Sequence, residues 1–137
     1  MLLIAAALTI VSGQPSDGWV WSYYDSSGMA VLAREVPDTE RLSAVLECEP
    51  GSGVARITVY GPEARPAFVN VSAGPASADA ERVEADGLAV SLRLDHPVFR
   101  AFASGEALSL HADGEAATVA APSGAPLESF RSACAAS

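Results

Sequence analysis

No lysine occurs in this sequence, and cysteine and histidine appear only twice each. All eight basic residues are arginine (Arg34, Arg41, Arg56, Arg65, Arg82, Arg93, Arg100 and Arg131), spread along the chain without a run. Seventeen acids oppose them, for a net charge of −9. A surface of that sign repels phosphate backbones, which argues against nucleic-acid binding. It suits a basic partner, and an inhibitor of a basic hydrolase such as lysozyme is one reading of the charge.

A long apolar run is also lacking. A membrane-spanning helix takes about 20 apolar residues, and the longest stretch, Leu2–Val11, is only half of that. It fits the core of a secretory signal, with Val11-Ser12-Gly13 as small residues at a cleavage site. No basic residue precedes the run, and a buried first strand is the alternative. The first reading makes 1–13 a signal and 14–137 one domain with no transmembrane anchor. That domain would be periplasmic or secreted. No cysteine lies near the cleavage site, so lipid attachment is not expected there.

Catalytic patterns are equally scarce. Nucleophilic catalysis needs a Ser or Cys beside a base that a third group orients. His96 follows Asp95 just before Pro97, where capping a helix is role enough. No G-x-S-x-G elbow occurs, and Pro50-Gly51-Ser52-Gly53 lacks the Lys and helix of a phosphate loop. His111, Asp113 and Glu115 (HADGE) would share a face on an unbroken strand and could then suggest a metal. A turn at Asp113-Gly114 separates them instead. Asn70-Val71-Ser72 matches a glycosylation sequon. No acid pair has a spacing that marks a glycosidase, so a small acidic-pair hydrolase is a minor alternative. The expectation is a protein that is not an enzyme, with no cofactor and no metal.

The two cysteines carry more information. Paired thiols are the rule in exported chains, so Cys48 and Cys134 are expected to form a disulfide. Closing so long a loop is worth about 4–5 kcal/mol in the chain-entropy model. Cys48 ends the alternating segment RLSAVLEC, where Leu42, Ala44 and Leu46 share its face and point to a core.

Strand signals recur between turn residues. Trp19–Tyr24 and Met29–Val36 flank Asp25-Ser26-Ser27-Gly28, and Val54–Tyr60 and Ala67–Ser72 alternate. Leu88, Val90, Leu92 and Leu94 alternate most clearly, with Ala89, Ser91 and Arg93 facing out. Asp86-Gly87 suits a type I′ turn between Glu81–Ala85 and that strand, while Ala73–Ala80 (AGPASADA) reads as a loop. A last hairpin pairs Ala107–His111 with Glu115–Ala121. Pro97 opens a short helix near 96–104. A C-terminal helix carries Leu127, Phe130 and Cys134 at i, i+3 and i+7, so the disulfide would pin it to the third strand. The fold class is all-β: an antiparallel β-sandwich or partly open barrel of about eight to nine strands, with these two helices.

In WVWSYY, Trp19, Trp21 and Tyr23 alternate on one face. They are either core or, if exposed, a platform for sugar rings or a protein hot spot. The order LSAVLECEPGSGVARITVY, LAVSLRLDHPVFRAF and PLESFRSAC behind a signal resembles small exported β-sandwich proteins of Gram-negative bacteria. It looks like the type VI secretion accessory proteins and, more loosely, the invasion-associated locus B proteins. The resemblance implies a periplasmic or secreted, non-enzymatic role. A non-catalytic protein that binds another protein or an envelope component is therefore expected, with a carbohydrate-binding module as the alternative.

Overall fold

The computed structural model describes residues 18–136, so the expected signal at 1–13 lies outside the described residues. Nine strands and two helices follow one another: β1 (Val20–Ser26), β2 (Met29–Glu35), β3 (Leu42–Cys48), β4 (Val54–Val59), β5 (Phe68–Ala73), β6 (Ala76–Val83), β7 (Leu88–Arg93), α1 (Pro97–Ala103), β8 (Leu108–Ala112), β9 (Glu115–Val119) and α2 (Gly124–Cys134). The strands join in the order β1-β2-β3-β4-β7-β6-β5-β8-β9, each pair antiparallel, and the sheet does not close. The all-β architecture read from the alternation is the one observed.

Local chemistry sets the hairpins. Ser27 and Gly28 take φ of 52° and 79° between the paired Ser26 and Met29, and Asp113 and Gly114 take 48° and 84° between Ala112 and Glu115. Two successive positive φ values define the type I′ turn, whose twist matches that of the strands it joins. Strand β6 then folds the sheet over. Its first part, Ala76–Glu81, pairs with β5, whereas only Arg82 and Val83 pair with β7.

Four expectations change in the structure. Ala73–Ala80 is not a loop: Gly74, at φ 55°, and Pro75 make a tight turn, and β6 follows. Ala76, Ala78 and Ala80 face the core while Ser77, Asp79 and Glu81 are exposed. Asp86-Gly87 is not a type I′ turn, because neither residue has positive φ. Gly87 instead serves a close approach, since a Cβ there would lie 2.8 Å from the Val59 carbonyl oxygen and 2.9 Å from Thr58 Cγ2. Leu42 leaves the Ala44–Leu46–Cys48 face and is 38% exposed. The register slips between Arg34 and Glu35, so Ala44 pairs with Arg34 but Leu42 pairs with Glu35, and such a bulge turns the following side chain to the other face. Ala89 does point away from the main core, yet it is buried beside Ala33, Val45 and Thr58. The segment before β7 lies over that outer row at Gly87.

The main core is one cluster drawn from both halves of the folded sheet and from both helices. A row of directly opposed residues crosses five strands: Tyr23, Leu32, Leu46, Ile57 and Val90. Phe99, Phe102 and Phe130 are the largest fully buried side chains, and all three come from the helices. In α1, His96 caps the first turn, its Nδ1 accepting from Val98 N at 3.0 Å, and Pro97 needs no partner for a missing N–H. In α2, Leu127, Phe130 and Cys134 face inward, as the spacing predicts.

Cys48 and Cys134 stand at disulfide distance, with Cα atoms 5.9 Å apart. The link pins the end of α2 to the end of β3. Two backbone hydrogen bonds reinforce it: Gly51 N donates to Ala133 O at 2.9 Å and Gly53 N to Cys134 O at 2.7 Å. On reduction, the melting temperature is expected to fall by about 15 °C, the equivalent of about 4–5 kcal/mol for a chain of this size. An unchanged calorimetric melt would show that the link contributes nothing.

Tyr60 gives a pH signature. Burial, with the Asp86 carboxylate adding to it, pushes its phenol up to about 12 from the usual 10.0. The unfolded chain therefore loses this proton first, and the stabilisation is whole below about pH 10 and lost as pH rises toward 12. Tyr60→Phe is expected to flatten alkaline denaturation across that window and to delete the latest component of the tyrosinate absorbance titration. A titration unaltered by the substitution would contradict this.

Candidate functional site

The three aromatic residues read from the sequence divide into different environments. Trp21 lies in β1 opposite Arg34, and Tyr23 lies opposite Leu32, so both are on the inner face. Both are half-buried against the core. The Trp21 ring meets Phe102 edge-on, with centroids 6.4 Å apart, and its Nε1 donates to the Ala120 carbonyl at 3.2 Å. Since Ala120 follows β9, this bond fastens the first strand to the end of the last one. The Tyr23 hydroxyl donates to Asp25 Oδ1 at 2.9 Å, and burial, then that bond, raises its phenol above the usual value. Trp19 precedes β1, and its ring lies under the Arg41 guanidinium at 5.0 Å. Such a contact contributes about 0.5–1 kcal/mol at an exposed site. Much of each of the three ring systems is thus engaged within the fold.

Outward from β1 point the residues between the aromatics. Val20 and Tyr24 are 41% and 46% exposed. The Tyr24 hydroxyl donates to Glu35, which raises its phenol. Among the described residues β1 pairs with β2 alone, so its other edge offers unpaired backbone. Natural edges are blunted by lysine, proline or bulges. Strand β1 (VWSYYDS) contains none of these devices, and Asp25 is its one charge. The opposite edge belongs to the five-residue β9. Its first residue is committed elsewhere: the Glu115 carboxylate accepts from Glu63 N at 2.9 Å and Ala64 N at 3.0 Å, tying β9 to the β4–β5 connection.

The remaining sequence candidates are spread apart. His96 caps α1, and His111 is exposed on β8 opposite Asn70 and Ala116. Asp113 is in the turn and Glu115 is held by amides, so HADGE does not converge. Asn70 donates to Asp79 Oδ1 at 3.1 Å from the exposed face of β5. No helix among the described residues is long and apolar enough to cross a membrane. Neither a protein-family model, nor a curated protein, nor a solved structure matches the chain.

Trp21→Phe keeps an aromatic ring against Phe102 but removes the donor to Ala120. Urea denaturation is expected to show a loss of about 1 kcal/mol, the usual net value of one such bond, with faster amide exchange along β1. Equal stability and unchanged exchange would mean that the latch is idle.

Proposed function

We propose that this is an exported, non-catalytic binding protein of a bacterial envelope or secreted fraction, and that it takes up an extended segment of a partner protein along β1. The observation that carries this reading is the edge of β1, seven residues long and without a strand partner among the described residues, with Val20 and Tyr24 exposed beside it. Addition of a strand to such an edge supplies main-chain hydrogen bonds for affinity and side-chain contacts for specificity. Tyr24 and Val20 would supply those contacts. The cysteine pair supports an oxidising compartment, and the signal-like Leu2–Val11 supports export. The net charge of −9 favours a basic partner, whose capture would weaken with salt.

Val20→Lys with Tyr24→Lys places two charges on the edge at exposed positions and gives up the Tyr24–Glu35 hydrogen bond, so the melt is expected to fall by no more than about 5 °C with the fold retained. In pull-downs from the native envelope fraction, the partner retained by the wild type is expected to be lost. Equal retention by the double variant would rule out the edge. The native protein's intact mass is expected to lack the signal and two hydrogens. Alkylatable sulfurs, or a retained signal, would rule out the compartment.

A further inference from the structure

The arginines are dispersed in sequence, but the fold gathers three of them where α1 and α2 meet the end of β7. Two adjoining clefts open there, of about 590 and 410 Å³, and both are lined by Leu94, Arg100 and Arg131. The larger adds Pro75, Ala76 and Pro97 as an apolar wall, and among the described residues none that lines it is acidic. In a chain where acids outnumber basic residues 17 to 8, a concave surface bearing two guanidinium groups and no carboxylate stands out.

The three arginines are not equivalent. Arg93 gives Nε and Nη2 to the two oxygens of Asp95, both at 2.9 Å, and this pairing holds the Asp95 carboxyl below its usual range. Arg100 adds a smaller, through-space effect on Asp95. Arg131 is only loosely engaged, 3.6 Å from Glu128, and Arg100 has no ion-pair partner among the described residues. Each lies in the last turn of its helix, where a cation complements the helix dipole. The dipole accounts for one cation per helix end. It does not account for both sharing a cleft walled by proline, alanine and leucine.

The geometry points to a binding site for a small amphipathic organic acid, its anionic head held between Arg100 and Arg131 and its hydrocarbon body lying on Pro75, Leu94 and Pro97. Guanidinium forks match the two oxygens of a carboxylate. The cleft volumes fall in the range of small-molecule sites, about 300–1,000 Å³, in which apolar walls and a few polar groups divide the work of binding. The site is separate from the β1 edge and does not depend on partner capture there.

The full chain is to be titrated by calorimetry at low salt with three probes: octanoate, octanol and inorganic phosphate. Octanoate is expected to bind one to one, about tenfold or more tighter than either of the others, because octanol lacks the charge and phosphate lacks the hydrocarbon body. Arg100→Gln and Arg131→Gln are each expected to weaken octanoate about fivefold or more, while their melts fall by no more than about 4 °C, the helix-dipole share of one exposed charge. Arg65→Gln, on the β4–β5 connection, is expected to leave binding unaltered. Absence of saturable octanoate binding up to roughly 10 mM would overturn the assignment. So would octanol or phosphate binding as tightly, or indifference to both arginine substitutions.

Discussion

The bond between Cys48 and Cys134 is the constraint around which the other contacts are arranged. It joins the end of β3 to the end of α2 and brings the β3–β4 turn against the helix terminus. Gly51 and Gly53 donate there to Ala133 and Cys134, and the Gly53 carbonyl in turn accepts from Leu94 N at 2.9 Å. One cross-link thus ties the third strand, the last helix and the exit of β7 together. Gly53 permits this at φ 75°, where a Cβ would approach Ala136 Cβ to 3.2 Å. With α2 so held, Leu127 and Phe130 complete the core that the curved sheet leaves uncovered. The cleft bearing Arg100 and Arg131 opens at this corner, and Leu94, which the Gly53 carbonyl holds, lines it.

Much of this fold was legible in the amino-acid order. The Leu88–Leu92 alternation, a hairpin loop at Asp25-Ser26-Ser27-Gly28 (which the structure narrows to Ser27-Gly28), the Asp113-Gly114 turn, the Pro97 helix start and the inward stripe of α2 all follow from periods and turn chemistry that act over a few residues. What escaped is what depends on a partner strand. Leu42 turns outward because β2 and β3 slip by one residue, and nothing in RLSAVLEC alone encodes that slip. Strand β6 was hidden because alanine is a weak marker of an inward face, and Gly74-Pro75 looked like the start of a loop. Gly87 looked like a turn glycine because the value of a missing Cβ for close packing on Thr58 appears only in three dimensions. The candidate sites divide in the same way. The aromatic stripe was visible as an alternation, but its engagement by Phe102, Ala120 and Arg41 was not. Arg100 and Arg131 carried no signal at all, being on different helices whose approach is set by tertiary packing.

The sheet's two ends are managed unequally. Near β9, Glu115 fastens the strand to the β4–β5 connection, and Trp21 reaches across to Ala120. Among the described residues the rest of β1 is paired on one side. A chain without lysine has given up the commonest residue for discouraging strand addition at an edge. The same absence leaves arginine as the one strong cation, and arginine's planar fork is better suited than an ammonium group to gripping oxyanions in pairs.

The position of Cys134 also orders events in time. Synthesis makes this thiol only after the nine strands of the described residues, so Cys48 has no partner until the sequence of the whole sheet exists. In the extended chain their union must close a loop of 86 positions against its entropy, whereas docking of the last helix already brings the two Cα atoms to 5.9 Å, so the assembled molecule favours the bond.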